Sequence, residues 1–233
     1  MAGADEPTLV APLDHSAARA ITGVVTAMAG DELDGGLREL ARAHGLTLNT
    51  VAQAAWALVV GQLTGRTDVV FGATVAGRPA DLPGMENMLG LFINTVPVRV
   101  RFSPEQTVAQ LLRDLQTQQT ELLDHQHLGL TEIQRLAGAG ASFDTLMAFE
   151  SFPGDPDGPP PIGALRFTEV GIRESINYPL GLVVTPFGGF ELRLSYRPDL
   201  YDEPAAQAIL DRLLRVLGQV AADPDVRLSD IEV

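Results

Sequence analysis

Four histidines, His15, His44, His125 and His127, are the side chains in this chain best suited to take a proton near neutral pH. A histidine so placed could act as a general base. His125 and His127 stand two apart at the end of a helical stretch. Their sharper reading is a base or a metal pair; the plainer one is helix capping and a polar turn. A lone His-x-His is a poor metal site, so no metal is expected. His15 falls in an aperiodic arm, and His44 in the last turn of a helix, where a cation suits the dipole.

Other polar groups stand where strands end. Arg78, Asp81, Glu86 and Asn94 fall in or beside a Gly/Pro/Asp-rich loop between two apolar runs. Binding residues gather on such loops. Arg78 can fix the loop by pairing with Asp81 or Glu86, or face a phosphate. Asn94 interrupts an apolar strand, as a strand-end hydrogen bond or as a group that bonds a ligand amide. Ser175 and Asn177 precede Tyr178-Pro179, and Pro179 biases Tyr178 toward extended geometry, so these polar residues should project at a strand entrance. Ser175 lacks a nucleophile elbow, and no histidine follows it. Asp144 and Glu150 flank one strand, near opposite ends and too far apart for joint acid–base work. Gly77 to Gly84 has no Lys-Ser/Thr partner for a phosphate loop.

The 233 residues suffice for a sizeable core. Sixteen dispersed arginines face 30 acids, a net charge of −14, which disfavours nucleic acid and an anionic membrane surface as partners. Cysteine is absent, so disulfides, thiolate metal sites and a Cys nucleophile are excluded. The first residues lack the basic start and apolar region of a signal peptide, and the most apolar helical stretch, 51–63, is too short to span a bilayer. A cytoplasmic setting is expected.

The pattern positions these residues as follows. Residues 1–30 read as a linker or loosely held arm. Leu33, Leu37, Leu40 and Ala41 mark one helix before Gly45. Val51 to Leu63 mark a second, capped by Thr47 or Asn49 and ended by Gly65. Strands are expected at 68–76 and 91–102, then a long helix through Val108 and Leu123 with Ser103-Pro104 as its start, and a short one over 130–137. A strand over 144–150 precedes a candidate mobile loop at about 151–163, holding five prolines and three glycines. Strands at 164–172, 180–187 and 190–196 follow, the last two joined by a hairpin at Gly188-Gly189, and a final helix carries Ile209, Leu213 and Val216. The order implies an α/β architecture: one mixed sheet with antiparallel pairing, covered by helices.

The run from Val69 through Gly77-Arg78-Pro79, with Met88-Leu89-Gly90-Leu91-Phe92-Ile93-Asn94-Thr95-Val96-Pro97, closely resembles the C-terminal half of condensation domains from non-ribosomal peptide synthetases. Three further segments, Leu46–Ala57, His125–Ile133 and Arg173–Leu180, resemble that family in its order. Together they form a specific signal. The resemblance implies a single chloramphenicol-acetyltransferase-like lobe over 31–233, one wall of a tunnel in which a carrier-bound amine attacks a carrier-bound thioester. It also implies antibiotic or siderophore biosynthesis as the setting. Arg78, Asn94, Ser175 and Asn177 would then line the channel.

The family's His-His-x-x-x-Asp-Gly motif is not in this sequence. No catalytic residue is therefore expected in this chain; the motif would lie in an N-lobe before Met1, the chain being an excised piece. No cofactor is expected to bind here, phosphopantetheine being carried by donor and acceptor carrier proteins. The N-lobe, these carriers and adjoining synthetase domains are the expected partners. Two alternatives stand beside this reading: a non-catalytic module that binds a carrier or tailoring enzyme, and a self-assembling acyltransferase that uses His125 or His127.

Overall fold

The computed structural model describes residues 6–11, 22–78, 83–151 and 176–233. Local capping fixes the first helices. α1 (Asp31–His44) carries Asp31, Glu32 and Asp34 in its first turn and Arg42 and His44 in its last, complementing the helix dipole, and Gly45 closes it at φ 64°. α2 (Leu48–Thr64) starts where the Thr47 hydroxyl accepts from Thr50 N at 3.1 Å and stops at Gly65, φ 67°. All twelve residues from Thr50 to Gly61 are buried, so α2 is a central core helix rather than a surface one. α3 (Val108–Leu122) starts later than expected: Thr107 and Gln110 form a capping box, so Ser103-Pro104 precedes the helix instead of opening it. α4 (Leu130–Ala137) and α5 (Glu203–Ala222), the latter capped by Asp202, follow the predicted pattern.

The strands are β1 (Gly23–Ala29), β2 (Asp68–Val75), β3 (Asn94–Arg101), β4 (Thr145–Phe149), β5 (Leu180–Thr185) and β6 (Phe190–Tyr196). They form one sheet in the order β1-β6-β5-β4-β2-β3. Its centre, β5-β4-β2, is parallel, while β1, β6 and β3 pair antiparallel to their neighbours. The mixed, helix-covered α/β sheet is thus the expected one. β1 corrects the arm reading of 1–30: residues 23–29 pair with β6 along their whole length, Gly23 opposite Tyr196 and Ala29 opposite Phe190. β3 begins at Asn94, three residues later than the apolar run suggested. The expected strand at 164–172 and nearly all of the loop at 151–163 lie outside the described residues.

Alternate strand residues such as Phe71, Val98, Leu182 and Leu192 join Trp56 of α2 and Leu213 of α5 in one core. At the β3 edge the polypeptide blocks a further strand. Pro97 offers no N–H, and Gln118 of α3 takes the Arg99 carbonyl through its Nε2 at 3.0 Å. Among the described residues no single helix is long and apolar enough to cross a membrane.

Candidate functional site

β2 ends at Val75 and the chain then turns at Gly77, whose φ is 60°. An added Cβ there would sit 1.9 Å from the Phe92 carbonyl oxygen, so this close approach requires glycine. Arg78 follows and reaches across the loop. Its guanidinium donates to the carbonyls of Met85 and Met88, the latter at 3.1 Å, and lies 4.4 Å from the Phe92 ring centroid. Arg78 thus ties the loop through backbone carbonyls; its expected pairing with Asp81 or Glu86 rests on side chains outside those described. Asp81 lies outside the described residues.

The clamped loop displays what it cannot bury. Leu89 is 100% exposed, Leu91 90% and Ile93 64%, with Met88 beside them. These residues form an apolar lip where the pattern suggested the start of a buried strand.

Asn94 anchors the far end of the lip. Its Nδ2 donates to the Gln126 carbonyl at 2.8 Å and the Leu128 carbonyl at 2.7 Å, while its Oδ1 accepts from Thr95 N at 2.9 Å. Both amide protons are committed to the turn after α3, which is the strand-end role. His127 borders a small recess with Gly77, Arg78, Leu123 and Gln126. His125 faces elsewhere, into a crevice of about 510 Å³ between β3 and α3, with Glu121, Pro97, Leu128 and Ile133. Both imidazoles are exposed, and among the described residues no carboxylate hydrogen-bonds either ring. A second hollow of about 490 Å³ continues past Arg99 to Phe102 and Asp114. There Arg99 grips Asp68 with two hydrogen bonds, Nε to Oδ1 at 2.7 Å, and this bonding holds the Asp68 carboxyl below its ordinary range.

The structure therefore brings Arg78, Asn94 and His127 to one turn at the base of the lip. Asn177 is not among them: it is exposed and enters β5 at the opposite end of the parallel strands, where Leu180 aligns with Thr145. Ser175 lies outside the described residues. Among those described, no group of three His, Asp or Glu side chains could hold a metal ion. Sequence reasoning missed Tyr178, which stacks on Phe143 with centroids 5.9 Å apart and whose hydroxyl burial pushes up in pKa. An aromatic beside Pro179 was the available signal.

A mixed six-stranded sheet with a parallel centre, backed by helices and carrying a clamped loop beyond β2, defines a lobe of the chloramphenicol-acetyltransferase type. Residues 7–233 match the condensation domain family, and the chain belongs to it. It is similar to one polypeptide of the linear gramicidin synthase from Brevibacillus parabrevis, 37% identical over 200 residues, covering 84% of this chain and 3% of that protein. It is also similar to the X-domain solved in complex with OxyB from teicoplanin biosynthesis, at 27% identity and a TM-score of 0.80, covering 99% of this chain and 52% of that one. The first condensation domain of the CDA synthetase matches at 25% identity and a TM-score of 0.71, covering 92% of this chain and 48% of that one. The chain spans about half the length of these solved chains and a few per cent of the synthetases it matches.

Proposed function

We propose that this chain is the C-terminal lobe of a condensation domain in a non-ribosomal peptide synthetase, residues 7–233, with β1 as part of its sheet, forming one wall of the amide-forming tunnel. The observation that carries this reading is the clamped lip. A glycine, an arginine and an asparagine hold Leu89, Leu91 and Ile93 out into solvent, and neighbouring apolar side chains held there mark an interaction surface. An apolar wall that meets another lobe accounts for it, and the half-length match to solved relatives supports the same reading. In the reaction, the acceptor amine attacks the donor thioester carbonyl, a base takes the amine proton, and the pantetheine thiol leaves. Among the described residues no carboxylate orients His125 or His127, and on this reading the base comes from the other lobe. Donor and acceptor carriers bring their substrates on phosphopantetheine arms, with adjoining synthetase domains on either side. The test is acyl transfer between loaded carriers, run with this chain alone and then with a separately made N-lobe. Turnover only in the mixture is expected; turnover by the chain alone would overturn the reading and move His125 and His127 to the front.

A second reading has its own support. The X-domain match has higher identity and a higher TM-score than the match to the CDA synthetase domain. A lobe that recruits a partner enzyme without catalysis predicts no turnover in the mixture and retained binding of that partner.

A further inference from the structure

β2 and β4 are parallel neighbours joined by only two residue pairs, Gly72 with Leu146 and Ala73 with Met147. Before those pairs the strands part, and residues 6–11 lie against both. Thr8 bridges Phe143 in parallel, its N–H donating to the Ser142 carbonyl at 3.0 Å, while its hydroxyl accepts from Val70 N of β2 at 2.9 Å. Thr8 is 1% exposed. Two residues on, the Asp144 carboxylate accepts from Val10 N at 2.9 Å and Ala11 N at 3.0 Å, more than 130 positions away in sequence. Tyr201 at the approach to α5 donates its hydroxyl to the Val10 carbonyl at 2.8 Å. A buried carboxylate is costly unless it is bonded, and here two backbone donors of a distant segment bond it.

We infer that Thr8, Asp144 and Tyr201 form an anchor that seats residues 6–11 as an extended segment in the notch where β2 and the residues before β4 part, and so fix where the polypeptide preceding residue 6 meets this sheet. The slot reads its occupant by chemistry: a hydroxyl residue to accept from Val70, then two consecutive free N–H groups for the carboxylate. Asp144 is thus a positioning residue, not a catalytic one. The seating stands on the contacts alone; the positioning of a preceding lobe rests on the reading of the chain as a C-terminal lobe.

Amide hydrogen exchange on the full chain tests the seating. Thr8, Val10 and Ala11 should be protected roughly 100-fold or more over free-peptide rates. Asp144→Ala should cut Val10 and Ala11 protection at least about tenfold, with β5 and β6 amides changing less than about threefold. Thr8→Val should release the Val70 amide. Unprotected Val10 and Ala11 in the wild type, or loss spread evenly over the sheet, would overturn the anchor. If Asp144→Ala does not fold, Asp144→Asn and Tyr201→Phe decide by the same amides. With the N-lobe joined as in a two-lobe polypeptide, Asp144→Ala should broaden the distance distribution between spin labels on the lobes; an unchanged width would overturn the positioning. A wild type that seats residues 6–11 yet makes no amide with an N-lobe would count against the proposed function and leave the seating standing.

Discussion

Two apolar stretches of similar sequence character, 51–60 in α2 and 88–93 in the lip, end in opposite surroundings. Every residue of the first is buried, whereas Leu89, Leu91 and Ile93 of the second are exposed. The difference lies in what holds each backbone. α2 is held by its own side chains packing against α1, α3, α5 and β2. The lip is held by groups outside its apolar residues: the Gly77 turn, the Arg78 bonds to carbonyls and the Asn94 amide. A backbone fixed in that way frees its apolar side chains to meet another surface, and one fixed by burial does not.

The largest effect expected belongs to the buried stretch. Trp56 is 0% exposed, and Trp56→Ala should cost about 3–5 kcal/mol, much of a domain's stability. Urea unfolding of the variant should begin near zero denaturant. A midpoint close to wild type would mean the core repacks, and α2 would lose its distinction from the lip. Next in size is Gly77→Ala, which meets both a positive φ and the Phe92 carbonyl at 1.9 Å. We expect a loss of roughly 1–3 kcal/mol with proteolytic nicking confined to 77–93. Nicking elsewhere, or none, would show that the turn does not hold the lip.

The covered stretch was legible in sequence and the displayed one was not, for a physical reason. Caps are local, so Thr47, Gly65 and Gly138 reported the helix ends within a residue or two. Thr107-x-x-Gln110 was an equally local signal that Ser103-Pro104 obscured. β1 was missed because its pairing with β6 joins segments some 170 positions apart and buries only Val25 and Ala29. Leu91 to Ile93 read as strand in the sequence because apolar residues look alike there whether they face a core or solvent. Arg78 and Asp144 each have backbone partners, and no residue-type pattern marks a carbonyl or an N–H as the mate of a charged side chain.

A smaller effect, outside both stretches, depends on pH at the anchor of residues 6–11. Burial, with Asp144 nearby, pushes the Tyr201 hydroxyl up to about 12, above the ordinary value near 10. The folded state therefore holds this proton more tightly than the unfolded chain. Its stabilising share is complete below pH 10 and is lost as pH rises from about 10 to 12. Alkaline titration followed by exchange should release residues 6–11 in that window, and Tyr201→Phe should remove the step. A step that survives the substitution would assign the transition to another group.

The smallest effect on stability, and the most informative, is expected at the lip itself. The double variant Leu89→Ser and Leu91→Ser removes side chains that touch almost nothing here, so its unfolding free energy should lie within about 0.5 kcal/mol of wild type. Association with a separately made N-lobe should respond quite differently. A leucine buried on binding contributes about 1.5–3 kcal/mol, so each loss should weaken affinity by roughly 10- to 150-fold. Titration calorimetry against the N-lobe, paired with thermal unfolding of the variant alone, separates the outcomes. Weakened binding at unchanged stability identifies the lip as interface. Unchanged binding would leave two exposed leucines with no partner, and the contrast with α2 would then reflect loop geometry alone.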